Sequence, residues 1–318
     1  MRDKLFSLAN EIRQNQAVLR EKVRELRFNN PQFTHKVQRI QLSFSVCAVD
    51  GGLLAHRLHG YDIVIGRTVG VSFIYESSIL KSFDYYPEKY PNTSIELRSG
   101  LDEHEANVFR ALFRLKQELE CALKIVGKHS PNMLLMDGSL LPLPSDKPGD
   151  GSELAPLYSE VLTLYERLYA LCEQKKCQLC GVIKDSRSKK LSKGLGLNCS
   201  DTVLCSHLLN EGERTSDFSY FDETTHHADF TKRIKVFYLR PSEHDLPLRI
   251  EMLQSVQDVD RVASVLCTLS AISDNFAYPA ILIEADMRAA LDSKELSSIN
   301  SLIDMDIKPL RRNSRPFR

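Results

Sequence analysis

Leu134-Leu135-Met136-Asp137-Gly138-Ser139-Leu140 is a short apolar run that stops on an aspartate and continues as glycine and serine. A run of that length is read as a buried strand, and in α/β proteins sites gather beyond the carboxyl ends of such strands. The pattern has an earlier echo, where Ser45-Val46-Cys47-Ala48-Val49 leads into Asp50-Gly51-Gly52. Taken singly, Asp-Gly is the ordinary residue pair of a tight turn. Taken together, two buried strands each delivering an aspartate at the tip suggest a paired-carboxylate metal site.

Outward from these strands the chain alternates in a recognisable order. Residues 43–49 and 62–75 read as strands, and a third lies between Ile79 and Leu97, interrupted by Pro87 and Pro91. Strands so closely spaced imply an antiparallel meander. A helix over about 102–126, the strand 133–137, a helix over about 153–173 and the strand 179–184 follow. Strand-strand-strand-helix-strand-helix-strand is the order of a ribonuclease-H-like domain, an α/β fold with a mixed sheet flanked by helices. In that arrangement the first and fourth strands are parallel neighbours, which sets Asp50 beside Asp137 at one sheet edge.

The flanks are simpler. Residues 3–27 form an amphipathic N-terminal helix, with Leu5, Leu8, Ile12, Leu19, Val23 and Leu26 on one stripe and Asn15 within it. That stripe either pairs with another chain, the reading we favour, or packs on its own domain. Residues 233–240 and 246–253 read as a hairpin, 258–272 as a helix, and Ala285–Leu291 as the start of a short helix. The expected organisation is an N-terminal helix over 1–35, a main α/β domain over 36–293 with an irregular insertion at about 185–232, and a basic tail over 294–318.

Composition narrows the function classes. Lys plus Arg and Asp plus Glu both number 42 in 318 residues, so no global field draws in nucleic acid or membrane. A nucleic-acid role therefore needs a local basic patch, for which Arg187-Ser188-Lys189-Lys190-Leu191-Ser192-Lys193 is a candidate when it is not simply a solvated loop. No apolar segment approaches membrane-spanning length and the start does not resemble a signal peptide, which predicts a cytoplasmic protein with mostly reduced cysteines.

Two aspartates alone make a poor site for a hard cation, which wants several oxygen ligands. Glu118 offers a third. It shares the apolar face of its helix with Ala111, Leu115, Ala122 and Ile125, where a carboxylate is costly unless paired or metal-bound. An ion pair with Arg114 at i−4 explains the same spacing equally well. Three carboxylates converging from a strand, a helix and a second strand suit two-metal phosphodiester hydrolysis. Lys184, at the end of its strand, would suit a substrate phosphate, or is a solvated strand-end lysine.

The set Val49-Asp50-Gly51-Gly52, Glu118, Leu135-Met136-Asp137-Gly138-Ser139-Leu140, Lys184-Asp185-Ser186, Tyr278-Pro279 and Ile283-Glu284-Ala285-Asp286 resembles the NurA nuclease family, motif for motif and in order, over about residues 40–292. Each motif is short, so the specificity lies in the set. The resemblance implies a dimeric, Mn²⁺- or Mg²⁺-dependent DNA nuclease with two ions per site, working beside the hexameric ATPase HerA in double-strand-break repair. It makes Asp50, Glu118 and Asp137 metal ligands and Tyr278 an active-site tyrosine. It expects exonuclease action, with endonuclease action left open. Asp286 stands where the family usually has histidine, and Gly52 where it more often has serine. An aspartate can still ligate a hard cation; a catalytically weak, partner-binding subunit of a DNA translocase is the alternative.

Other signals are weaker. Cys177, Cys180, Cys199 and Cys205 would make a zinc site only with irregular spacing. His226-His227 and His244 lie in polar loops and are read as surface residues.

Overall fold

A computed structural model describes residues 2–58, 61–184, 186–220, 228–273, 275–292 and 294. Helix α1 (Arg2–Asn29) and short strand β1 (Thr34–Lys36) precede a long hairpin, β2 (Ser45–Leu58) and β3 (Tyr61–Glu76). Strands β4 (Ile79–Tyr86) and β5 (Ser94–Ser99), helix α2 (Glu103–His129), strand β6 (Met133–Asp137), helix α3 (Ala155–Lys175) and strand β7 (Gln178–Ile183) follow. Next come α4 (Lys190–Gly194), α5 (Asp201–Leu208), β8 (Glu213–Thr215), β9 (Phe218–Ser219) and α6 (Ala228–Lys232). Strands β10 (Ile234–Arg240) and β11 (Leu248–Leu253) then lead to α7 (Val259–Leu269) and α8 (Ala280–Ala289). Among the described residues, eleven strands make a mixed sheet flanked by helices, the expected α/β class.

The chain divides into two compact units, Leu42–Gly181 with Asp222–Phe230 and Ile281–Arg318, and Met1–Gln41 with Val182–Phe221 and Thr231–Ala280. In the first, strand order is β7-β6-β2-β3-β4, and β5 also pairs with β3. β2 and β3 pair antiparallel from Ser45 opposite Ile74 to Leu58 opposite Tyr61. β2 and β6 are parallel, as the order of elements predicts, with Val46 opposite Met133 and Val49 opposite Met136.

Helix α2 begins at a capping box in which Asp102 and Glu105 satisfy each other's backbone N–H groups, and stops where Ser130 turns left-handed at φ 45°. Its face of Ala106, Phe109, Leu112, Leu119, Ala122, Ile125 and Val126 is buried, as are Val161, Leu168, Tyr169 and Cys172 of α3. Each large apolar side chain so buried contributes about 1.5–3 kcal/mol. The Tyr169 hydroxyl donates to the Leu140 carbonyl, which fastens the loop that follows β6 onto α3.

The second unit carries β1, β8, β10 and β11 in that order, with β9 on β10. The β10–β11 hairpin is confirmed, from Ile234 opposite Leu253 to Leu239 opposite Leu248. The C-terminal half of α1 docks here: Val23 is buried, and Arg27 donates to both oxygens of Glu213, each at 2.8 Å. Before that docked end, Phe6, Leu8, Ile12 and Val18 are exposed.

Four sequence readings need correction. β2 does not end at Asp50 but continues to Leu58, because β3 goes on pairing with it after β6 has stopped. The interrupted third strand is two strands, both taken up by β3. The stretch read as irregular contains α4, α5, β8, β9 and α6; its elements are too short for periodicity to show. The last helix begins at Ala280, directly after Pro279, rather than at Ala285. Asp185, His226, His227 and all of the tail except Lys294 lie outside the described residues.

Candidate metal centre

Val49 and Met136 are the last registered pair of the parallel β2 and β6, so Asp50 and Asp137 occupy the next position on adjacent strands. The strands treat the two aspartates differently. Asp50 is held in mid-strand opposite Val69 of β3, is buried, and accepts its own neighbour's N–H, Gly51 N to Oδ1, at 2.7 Å. Asp137 is the final residue of β6 and is half-buried. Gly138 follows it at φ 125°, a backbone conformation in the region that only glycine enters cheaply.

The third carboxylate comes from α2, which crosses β2 closely. A Cβ on Gly51 would lie 2.8 Å from Glu118 Oε1 and 3.0 Å from its Cγ. Glu118 is only 5% exposed, and its Oε1 is buried without a hydrogen-bond partner. Arg114 Nε stands 3.5 Å away, an ion pair too long to count as a hydrogen bond, and Arg114 is half exposed. The i−4 pair therefore exists, and the charges of Asp50 and Asp137 act on the same carboxyl.

The electrostatics follow from that position. Burial, the largest cause, pushes the Glu118 carboxyl up from its ordinary 4.5 to about 8. Arg114 and the Gly51 N–H pull it down, while the charges of Asp50 and Asp137 push it further up. A protonated, half-satisfied acid between two aspartates is costly in a folded protein unless something cationic compensates. The donor set is all oxygen, which matches a hard divalent ion such as Mn²⁺ or Mg²⁺. Among the described residues no three His, Cys, Asp or Glu side chains are gathered closely enough to hold a metal ion.

The remaining predicted residues fall in two places. Asp286 is exposed on α8 and is not among the groups acting most strongly on Glu118. Its helix nevertheless ends against β2, for the Ala289 carbonyl oxygen stands where a Cβ on Gly52 would go. That explains the missing serine: at position 52 any side chain would displace α8. Lys184 and Tyr278 meet in the other compact unit, with the ammonium 4.1 Å from the ring centroid. The buried Tyr278 donates its hydroxyl to Val182 O at 3.2 Å. Sequence reasoning missed Arg67, which donates to Ala290 O at 3.0 Å and Pro91 O at 3.1 Å and so ties the end of α8 down. Its register partner Gly52 was the only available signal.

Among the described residues no set of cysteines is placed to hold a metal ion, so the suspected zinc set does not form. Cys177, Cys180 and Cys205 are buried and Cys199 is half-buried; burial raises the thiols of Cys180, Cys199 and Cys205, and a hydrogen bond with Cys172, then burial, raises that of Cys177. Among the described residues no helix is long and apolar enough to cross a membrane.

Comparison with known proteins bears on the fold and the family. The fold matches the NurA nuclease from Sulfolobus solfataricus with a TM-score of 0.65 at 17% identity, covering 96% of this chain and 97% of that one. It also matches a NurA bound to dAMP and manganese with a TM-score of 0.56 at 11% identity, covering 93% and 97%. A NurA with manganese gives 0.56 at 12%, covering 94% and 99%. No curated protein sequence matches the chain. The NurA domain matches residues 44–291, most of the chain, and the protein therefore belongs to the NurA nuclease family.

Proposed function

We propose that this protein is a metal-dependent deoxyribonuclease that hydrolyses phosphodiester bonds at DNA ends by a two-metal mechanism. The observation that carries the reading is Glu118, a buried carboxylate with an orphaned oxygen, facing Asp50 and Asp137. Asp50, Glu118 and Asp137 hold the ions, with Asp286 of α8 as a fourth oxygen ligand. When bound, Mn²⁺ or Mg²⁺ supplies the Lewis acidity that lowers the pKa of the attacking water and stabilises the leaving oxygen. Water adds at phosphorus as the bond to the leaving sugar oxygen breaks, and that oxygen takes up a proton to become a hydroxyl. Glu118 gives up its own proton to join the site at neutral pH. Lys184 takes a substrate phosphate, and Tyr278, beneath the lysine, positions the terminal nucleotide.

The NurA that carries dAMP and manganese supports release of mononucleotides, and so an exonuclease, with endonuclease action as a second mode. In this reading the protein is a cytoplasmic homodimer that acts beside a HerA-like hexameric ATPase in double-strand-break end resection. The exposed N-terminal half of α1 is the contact with a sister subunit or the ATPase. One observation favours a second reading, a catalytically weak partner-binding subunit: Asp286 replaces the family's histidine and stands exposed. Linear DNA incubated with Mn²⁺ separates them. The nuclease degrades it, and Asp137→Ala lowers the rate by more than roughly 100-fold, since even outer-shell losses cost 10–100-fold. Intact DNA with wild-type protein and strong ATPase binding selects the second reading.

A further inference from the structure

The end of β4 and the loop after it read Tyr85-Tyr86-Pro87-Glu88-Lys89-Tyr90-Pro91, three tyrosines and a lysine in six residues, with Lys89 and Tyr90 between two prolines. Tyr90 is 64% exposed, yet it is not loose. Its hydroxyl oxygen accepts from Arg288 Nη1 at 2.6 Å, and the Arg288 guanidinium lies 5.0 Å from its ring centroid. Arg288 is fixed in turn, donating from Nε to Glu284 Oε1 at 2.8 Å. The Tyr85 hydroxyl donates to the same oxygen at 2.7 Å. Lys89 reaches over both rings, 5.6 Å from Tyr90 and 5.9 Å from Tyr85. Arg67 holds the other end of the loop through Pro91 O.

An aromatic ring kept in water but clamped at its hydroxyl has an apolar face and little freedom left to lose on binding. Its surroundings offer cations: Lys89 and Arg288, with Glu284 already satisfied by Arg288 and Tyr85, and Glu88 the exposed opposing charge. A ring bordered by cations is the composition of a surface that stacks bases and tracks phosphates of a single strand. Bases inside a duplex are stacked on both faces, and only the terminal pair leaves one free. The clamp also connects to the carboxylate centre: Arg288 sits on α8, the next residue's carbonyl abuts Gly52, and Gly52 lies two residues from Asp50.

We propose that Tyr90 is a base-stacking subsite for unpaired DNA, with Lys89 and Arg288 taking the flanking phosphates. The proposal rests on the nuclease reading and adds to it the state of the substrate, a separated strand led past α8 toward the carboxylates.

The chain contains no tryptophan, so Tyr90→Trp installs a single reporter. Titrating the variant, in EDTA, with a short oligothymidylate should quench its emission, whereas a blunt duplex of the same length should not. In parallel, anisotropy of a labelled oligothymidylate should show Tyr90→Leu binding roughly 5- to 100-fold more weakly, as expected for one lost stacking contact. Tyr90→Phe, which keeps the ring and loses only the hydroxyl, should bind within a few-fold of wild type. Bound oligonucleotide without quenching of the tryptophan, or equal affinity for Tyr90→Leu, overturns the subsite. If Tyr90→Leu melts early, the quenching experiment still decides. Failure of the wild-type protein to bind any DNA instead overturns the nuclease reading itself.

Discussion

Replacing Glu118 with glutamine should make the metal-free protein more stable at alkaline pH while removing its activity. Glu118 is buried, and its carboxyl is pushed from 4.5 to about 8 in the folded chain. The folded state therefore holds a proton that the unfolded state releases, and stability falls as pH rises between those values. Below about pH 4.5 the group costs nothing extra, and above about 8 the full penalty applies. At ~1.4 kcal/mol for each tenfold change, a rise from 4.5 to about 8 amounts to roughly 5 kcal/mol, an upper figure because a buried site relaxes on ionising. Glutamine keeps the shape and cannot ionise. Urea denaturation in EDTA at about pH 5 and about pH 9 reads the difference directly. Wild type should lose several kcal/mol more than Glu118→Gln between the two conditions. Mn²⁺ should restore stability to wild type at the higher pH and do little for the variant, because an ion that binds only the folded state stabilises it by mass action. Parallel pH curves for the two proteins would refute the placement of Glu118 as the buried, unsatisfied acid.

Two further outcomes follow from packing. Gly52→Ser restores the commoner family residue yet should destabilise by about 1–3 kcal/mol and slow cleavage, because its Cβ has to displace the Ala289 carbonyl and the end of α8; thermal melts with an activity assay would show it. Of the eight cysteines, Cys199 alone is classed as less than buried, so in native protein at neutral pH an aromatic disulfide reagent should titrate about one thiol, with the other seven released only by denaturant.

The core of the fold was legible because its signals are strong and long. The runs ending at Val49 and Asp137 are apolar enough to be buried strands, and the helices between and after them carry clear periods. Glu118 was legible as a carboxylate on an apolar face, although spacing could not choose between Arg114 and a metal; the structure shows the Arg114 pair and the influence of the two aspartates' charges. The end of β2 was not legible, since Asp-Gly-Gly reads as a turn and only the continued pairing with β3 carries the strand through it. The short elements between Lys190 and Lys232 are set by tertiary hydrogen bonds, such as buried Asp201 accepting from Ser192 N at 2.8 Å and the Tyr238 hydroxyl at 3.0 Å, which no local pattern announces. Arg67 was invisible for the same reason: its partners are backbone carbonyls remote in sequence.

The continuation of β2 past Asp50 makes the two aspartates unequal partners. One is clamped inside a hairpin with ladder pairing on both sides of it, and the other rides on the last residue of a strand with a glycine pivot behind it. In the metal centre proposed above, that asymmetry would act like a vice with one stationary jaw: a difference in ionic radius would be taken up at Asp137, and Asp50 would stay the fixed reference.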